Sequence, residues 1–150
     1  MPQIRELLSY RLHRVANLLS RGAELRYRRQ FGVSLWEWRT LALLGAAAAP
    51  LSLNHLADAA GIHKSQMSRV VSGLARRRLV RREADPGDAR GVRLALSRPG
   101  RKRYEGLIGA AAERDAAFNG CLSKSERQIL DRALAKLAGQ ARELIREEAK

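Results

Sequence analysis

The stretch that decides the fold is HKSQMSRVVSGLARRRLVRRE, at residues 63–83, followed by DPGDARGVRLALSRPG, at residues 85–100. Apolar residues of the first part recur three and four positions apart, as on one face of a helix. This predicted buried stripe consists of Met67, Val70, Val71 and Leu74. The pattern predicts an amphipathic helix whose outer face holds small polar and basic side chains, namely Ser65, Gln66, Arg69, Ser72 and Arg76.

The period then changes from that of a helix to that of a strand. Residues 92–97, VRLALS, alternate apolar and polar side chains, and residues 79–83, LVRRE, run from apolar to charged. Pro86-Gly87, between these two runs, is typical of a turn. These features predict a small β-hairpin with a basic surface, which we call the wing.

A shorter helix is predicted just before the first of these segments. Ser52 can cap the segment LNHLADAAG at residues 53–61, and Gly61 can end it. The next helix begins only a few residues later. A short helix, a glycine-containing turn and a second helix with a polar outer face form the helix-turn-helix pattern.

Long helices are predicted on both sides of this motif. Apolar residues recur with helical spacing from Ile4 onward and predict a first helix that ends near Phe31-Gly32, after which Ser34 caps a second helix. Beyond the wing, Ser97 with Pro99 starts a helix that runs to Asn119-Gly120. The S-x-x-E capping box of residues 123–126 opens a last helix. The fold class is therefore mainly α with a small β-hairpin, a winged helix-turn-helix between long flanking helices.

Positive charge is concentrated in the middle of the chain. The 150 residues have a formal charge of +14 and a hydrophobic content of 45%, which is normal for a folded protein. Residues 1–62 carry a net charge of +4, residues 63–103 carry +10 and residues 104–150 carry none. Such a charge favours a polyanionic partner, either nucleic acid or an anionic membrane surface.

Two features disfavour a membrane partner. The longest apolar run, residues 41–53, contains Gly45 and Pro50 and is too short to span a bilayer. The basic segment is interrupted by a turn and a strand, whereas binding to a lipid surface uses a basic amphipathic helix. Because the N-terminus also lacks the apolar stretch of a signal peptide, we expect a cytoplasmic location.

The reactive side chains do not predict an enzyme or a metal site. His13, His55, His63 and Cys121 do not have the spacing of zinc ligands. The sequence also lacks a glycine-rich phosphate loop and the common hydrolase motifs. We therefore expect no catalytic residue, no metal and no cofactor. Cys121 is interpreted as a small hydrophobic residue, with a redox switch as the alternative.

The order of these elements resembles the multiple-antibiotic-resistance regulator (MarR) family of winged helix-turn-helix proteins over nearly the whole chain. Residues 63–83 resemble the family's recognition helix and first wing strand, and residues 85–100 resemble its wing and the start of the next helix. GVSLWEWRTLALL, at residues 32–44, resembles its second helix. His55 and His63 lie at capping positions of the two motif helices where the family usually has other residues. This difference puts the stability of the caps in question and not the fold.

Contacts to DNA bases are predicted on the first turns of the recognition helix. The amides of its first turn can bind phosphate, and Gln66 is suited to adenine and Arg69 to guanine. The predicted set is His63, Lys64, Ser65, Gln66, Ser68 and Arg69. The alternative is a solvated polar face without a partner.

The wing supplies a second predicted contact. By resemblance, Arg90 enters the minor groove and Asp88 orients its guanidinium, the alternative being a surface ion pair of little energetic weight. Phosphate contacts are predicted for Arg76 and Arg93. The same role is open to the other arginines around the motif, Arg77, Arg78, Arg81 and Arg82.

The resemblance divides the chain into a DNA-binding lobe, residues 35–97, and a helical dimerisation region, residues 1–31 and 98–150. The apolar stripes of the first and last helices exceed what this small body needs, so we expect them to pair between two chains. The alternative is an intramolecular core. A homodimer would place two recognition helices about 34 Å apart over a pseudo-palindromic operator in double-stranded DNA.

A small aromatic or anionic effector is the last element of the hypothesis. It is expected near aromatic, cationic and hydrogen-bonding side chains that the resemblance brings together, His13, Asn17, Trp36, Trp38 and Arg39. For Trp38, packing in the core is the alternative.

The sequence thus predicts a sequence-specific, DNA-binding transcriptional regulator, a homodimeric repressor that an effector releases. The alternative is a non-specific architectural or RNA-binding protein, for which charge alone would suffice. The outer face of residues 64–69 favours the regulator, because it mixes groups suited to base edges instead of repeating Lys and Arg.

Overall fold

The computed structural model describes residues 3–149, except the side chains of residues 89 and 90. The chain forms two compact units, residues 1–110 and residues 111–150. Within the described range, no helix is long and apolar enough to cross a membrane.

The first unit is a winged helix-turn-helix with a long helix before it, as predicted. After a short 3-10 turn at Ile4–Glu6, its elements follow in the order α1 (Leu8–Phe31), α2 (Leu35–Ala46), β1 (Leu51–Ser52), α3 (Leu53–Ala60), α4 (Lys64–Arg76), β2 (Val80–Asp85) and β3 (Asp88–Leu96). Helix α5 (Arg98–Gly120) begins in this unit and ends in the second, where α6 (Lys124–Glu148) follows.

The first helix begins later than predicted, at Leu8 instead of Ile4. The backbone N–H of Gln3 donates to the Glu6 carboxylate at 3.0 Å, which closes residues 4–6 into a separate turn. Leu7 then adopts an extended conformation with ψ 131°, so the helical hydrogen bonds start again after it. The other end agrees with the prediction, because Gly32 ends α1 with a left-handed φ of 63°.

The core of the first unit lies between α2, α3, α4 and the start of α5. Its fully buried side chains include Leu41, Leu56, Met67, Leu74 and Leu107. Val70, which the sequence pattern placed in the buried stripe of α4, is only half-buried. Helix α4 is therefore held by a narrower stripe than expected, and its flanks stay partly accessible.

The sheet has three strands, one more than predicted. Strand β3 lies between β1 and β2 and is antiparallel to both, with Leu51 opposite Leu94 and Val80 opposite Leu96. Strand β1 has only two residues, too few to show a period in the sequence. The hairpin turn is at Pro86-Gly87, as predicted.

Ser97 connects the wing to α5 and to the end of the recognition helix. Its Oγ accepts a hydrogen bond from Gly100 N at 3.0 Å, which caps α5 as the sequence predicted. The same hydroxyl donates to the carbonyl of Arg78 at 2.6 Å, and Ser97 N donates to the carbonyl of Leu79 at 3.1 Å. One serine thus fixes the start of α5 on the turn that follows α4.

The second unit consists of the end of α5, a short turn and α6. Ser123 Oγ accepts from Glu126 N at 3.3 Å and the Glu126 carboxylate accepts from Ser123 N at 2.7 Å, which confirms the predicted capping box. The hydrogen bond from the Ser123 backbone lowers the pKa of the Glu126 carboxyl. Cys121 lies exposed in the turn, so it does not pack as the small hydrophobic residue that the sequence suggested.

Candidate nucleic-acid interface

Five of the six helix residues predicted to read DNA lie in the first two turns of α4, and the sixth, His63, is its N-cap. Lys64, Ser65 and Arg69 are exposed, as is Ser68. Gln66 is half-buried and lines a concave surface with His63 and Gly61. The structure therefore presents a continuous polar surface made of charged, amide and hydroxyl groups at one end of one helix.

The N-terminus of α4 has no side-chain cap. His63 occupies the N-cap position with extended backbone angles, but its ring accepts no hydrogen bond from the first turn. The amides of the first helical turn have no partner within the helix, so they are available to an acceptor from outside. Together with the helix dipole, this arrangement suits a phosphate oxygen.

The exposed basic residues fall into two groups. Three of the predicted phosphate contacts are already in ion pairs, Arg77 with Glu37, Arg81 with Glu83 and Arg93 with Asp85. In contrast, no described residue forms an ion pair with Lys64, Arg69, Arg76 or Arg82. These four cations lie on α4 and on the first wing strand, where a polyanion could neutralise them.

The wing is braced by an ion pair that the sequence analysis missed. Asp85 accepts from Arg93 Nε at 2.6 Å and from the backbone N–H of Gly87 at 2.9 Å. The Arg93 guanidinium and the Gly87 amide hold the pKa of the Asp85 carboxyl below its usual value. The two-residue period of the strands could have revealed this pair. Arg93 lies directly opposite Glu83, and Asp85 is two residues beyond Glu83 on the same strand, so all three side chains are on one face of the sheet.

The predicted wing contact is only partly visible. Asp88 is exposed and begins β3, beside the turn. The side chain of Arg90 lies outside the described residues, so its predicted partnership with Asp88 stays a prediction. The structure does show that the backbone of residue 90 belongs to β3, as the third residue after the hairpin turn.

The recognition helix ends in a turn that strains a non-glycine residue. Leu79 N donates to the carbonyl of Leu74 at 2.9 Å and Arg78 N donates to that of Ala75 at 2.9 Å, which is the Schellman motif. This motif requires a left-handed residue, and Arg78 takes that position with φ 57°. Glycine usually occupies it, because a side chain in the left-handed region costs about 1–2 kcal/mol.

Replacing Arg78 with glycine is expected to raise the free energy of unfolding by about 1 kcal/mol, because glycine has no Cβ to strain. Urea unfolding of the whole chain measures this change. Arg78→Ala is the matched control, since it removes the same guanidinium and keeps the Cβ. If alanine stabilises as much as glycine, the backbone conformation is not the source of the gain.

The residues predicted to bind an effector form two groups in the structure. On α1, His13 and Asn17 are exposed and hydrogen-bonded to each other at 2.9 Å. On α2, the Arg39 guanidinium lies 4.9 Å from the centre of the Trp36 ring and donates to Ser20 Oγ of α1 at 3.2 Å.

Trp38 takes part in both packing and a cavity. Its ring lies 5.3 Å from that of the buried Tyr27, centre to centre, which agrees with the alternative of core packing. Trp38 and Arg39 also line a cavity of about 400 Å³, together with Ala42, Leu43, Ala59 and Ala60.

The comparison with protein families identifies the central part of the chain. Residues 31–91, from the end of α1 to the wing, match the model of the MarR family. This segment is therefore similar to a MarR-family domain. The match includes the uncapped recognition helix and the wing hairpin, so the resemblance seen in the sequence is confirmed. A comparison with curated proteins found no match.

Solved structures extend the similarity beyond the matched segment. A MarR/EmrR family transcriptional regulator from Acinetobacter sp. ADP1 is 24% identical, covers 95% of this chain and 99% of its own, and has a TM-score of 0.86. AbsC, a MarR family transcriptional regulator from Streptomyces coelicolor, is 24% identical over 95% of this chain and 97% of its own, with a TM-score of 0.82.

A third structure contains DNA. The complex of MepR from Staphylococcus aureus with DNA is 23% identical to this chain, covers 89% of it and 98% of MepR, and gives a TM-score of 0.82. At these identities the three structures establish the fold. The long helices before and after the matched segment are therefore part of the same architecture.

Proposed function

We propose that this protein is a sequence-specific regulator of transcription that binds double-stranded DNA as a homodimer and acts as a repressor. The observation that carries the proposal is the exposed N-terminal end of α4. There the side-chain amide of Gln66, serine hydroxyls and unpaired cations lie beside the backbone N–H groups of the first helical turn and next to the wing. These are the groups that distinguish base edges in the major groove and bind the phosphates around them. The MepR complex supports the proposal, because a protein of the same fold is there bound to DNA.

Apolar side chains on the long helices support the homodimer. On α1, Leu8, Leu12 and Val15 are exposed by 39–55% of their surface, although they follow one helical face. On α6, described by itself, Ile129, Leu130, Leu134, Leu144 and Ile145 are exposed as well. Leaving so many large apolar groups in water is unfavourable, and pairing with a second copy would bury them.

An effector site on α2 is the regulatory part of the proposal. A small aromatic or anionic molecule would use the cavity beside Trp38 and Arg39, with the guanidinium as its ionic partner. His13 and Asn17, an exposed hydrogen-bonded pair on α1, are not among the residues that line this cavity and form a separate part of the proposal. A ligand that binds one state of the protein about 1–3 kcal/mol more tightly changes DNA affinity by about 5- to 150-fold.

The proposed role is binding rather than catalysis. The relatives with the same fold are transcriptional regulators, and we infer that this chain likewise works without a catalytic residue, metal or cofactor. A regulator of transcription acts where the DNA is, which supports the expected cytoplasmic location.

The test is fluorescence anisotropy on the DNA upstream of the protein's own gene, against a scrambled duplex of equal composition, over a series of salt concentrations. We expect tight binding to one sequence, with two chains per site. If the protein binds the upstream and the scrambled duplex equally well, selection from random duplexes decides between a distant operator and the architectural alternative. Equal affinity for all selected duplexes, falling together as salt rises, would contradict the proposal.

A further inference from the structure

Glu37 uses its two carboxylate oxygens in two directions. One oxygen, Oε2, accepts the backbone N–H of Ser34 at 2.8 Å and so caps α2. The other, Oε1, accepts from Arg77 Nη1 at 3.1 Å. Arg77 is the C-cap of the recognition helix, 40 residues further along the chain. A single carboxylate therefore connects the beginning of α2 with the end of α4.

The surroundings of this pair are partly shielded from solvent. The Glu37 side chain is 18% exposed and that of Arg77 is 38% exposed. A Cβ built on Gly73 of α4 would lie 3.8 Å from Glu37 Oε1, and one built on Gly32 would lie 3.9 Å from Arg77 Nη2. A Cβ at either position would be in ordinary van der Waals contact with the pair, so the pair packs closely against Gly73 of α4 and against Gly32, where α1 ends.

Among the described residues, the pair is the second of two side-chain hydrogen bonds between α2 and α4. The first is nearer the start of α4, where the buried Thr40 donates to Met67 Sδ at 3.5 Å. Met67 and Arg77 are ten residues apart, which corresponds to about 15 Å along a helix. The buried side chains of α4 pack it against the core, and two hydrogen bonds this far apart add a restraint on the direction of its axis.

We propose that Glu37 and Arg77 are a positioning pair that fixes the direction of the recognition helix, and that Arg77 is not a phosphate contact. The inference rests on the proposed function and deepens it. Arg77 belongs to a run of three arginines, but only its guanidinium is held by a carboxylate of another helix. The pair acts on DNA binding through the orientation of α4, so its loss changes which half-site spacing is accepted.

The test compares Glu37→Gln, Arg77→Gln and the double variant. Glutamine at position 37 still accepts the Ser34 amide, so the cap of α2 is kept while the charge is lost. Each variant is titrated with the selected operator and with the same operator lengthened by one base pair between its half-sites. We expect each single change to reduce discrimination between the two duplexes about 5-fold, and the double variant to lose no more than a single one.

Two matched controls separate positioning from charge. Glu83→Gln breaks an ion pair on the wing and should leave the spacing preference unchanged. Arg76→Gln removes an unpaired cation from each chain of the homodimer and should reduce the salt slope by about 1.8, about 0.9 per chain, whereas Arg77→Gln should not. If Arg77→Gln reduces the slope as Arg76→Gln does, or if the three test variants keep wild-type discrimination, the inference is wrong.

A measurement without DNA distinguishes failure of this inference from failure of the proposed function. Amide hydrogen exchange over the last turn of α4 should be faster in the Glu37→Gln and Arg77→Gln variants than in wild type and in Glu83→Gln. A wild-type protein that prefers no sequence would refute the proposed function, and the exchange rates would still decide on the pair. Unchanged exchange in both variants would overturn it.

Discussion

Replacing Gly100 with alanine is expected to lower the free energy of unfolding by about 3 kcal/mol, at the upper end of the cost of overpacking. An added Cβ would overlap the carbonyl oxygen of Leu79 and lie 2.8 Å from its carbonyl carbon. Both are backbone atoms, so no side-chain rotation can relieve the clash. Leu79 joins the recognition helix to the wing, and its carbonyl also accepts Ser97 N, so moving it would break that hydrogen bond as well.

Urea unfolding of the whole chain measures this change, and α5 itself provides the control. Gly109 lies in the same helix, and a Cβ there would meet nothing within 4 Å. Gly109→Ala should therefore stabilise the chain by about 0.5–1 kcal/mol, because alanine is the better helix former. A Gly100→Ala variant as stable as wild type would show that α5 can move away from Leu79 at little cost.

The parts of this fold that depend on neighbouring residues could be predicted from the sequence. Ser34, Ser52, Ser97 and Ser123 were predicted as helix caps, and each accepts a backbone N–H three residues later. A cap needs only a hydroxyl or carboxylate before a helical period, and both are visible in a short window. The four-residue error at the start of α1 arose where Glu6 formed a cap of its own with Gln3.

The parts that depend on distant residues could not be predicted. Strand β1 exists because Leu51 pairs with Leu94, and a two-residue strand has no period to detect. The role of Arg77 depends on Glu37, and that of Arg93 on Asp85. In the sequence all basic residues around the motif are equivalent, and only the three-dimensional structure separates the paired arginines from the unpaired ones.

This separation decides which arginine should matter most for sequence recognition. Arg69 lies on the outer face of α4, two turns from its N-terminus, and no described carboxylate pairs with it. A guanidinium in this position can bind both acceptors of a guanine, which contributes about 1–3 kcal/mol of discrimination against other bases. Arg76, at the last position of α4, is also unpaired but is farther from the helix N-terminus that enters the groove.

Replacing Arg69 with alanine is expected to reduce affinity for the selected operator by about 5- to 150-fold per half-site, because the homodimer loses one bidentate base contact in each of its two half-sites. Discrimination at a single base pair of each half-site should disappear, whereas affinity for a scrambled duplex should fall much less. Arg76→Ala is the matched control, because it should weaken binding to every duplex alike and reduce the salt slope by about 1.8, about 0.9 for each chain of the homodimer. Titrating both variants against operators changed one base pair at a time measures the difference. Equal losses on all duplexes for Arg69→Ala would mean that Arg69 binds phosphate and that sequence is read by other side chains of α4 or by the wing.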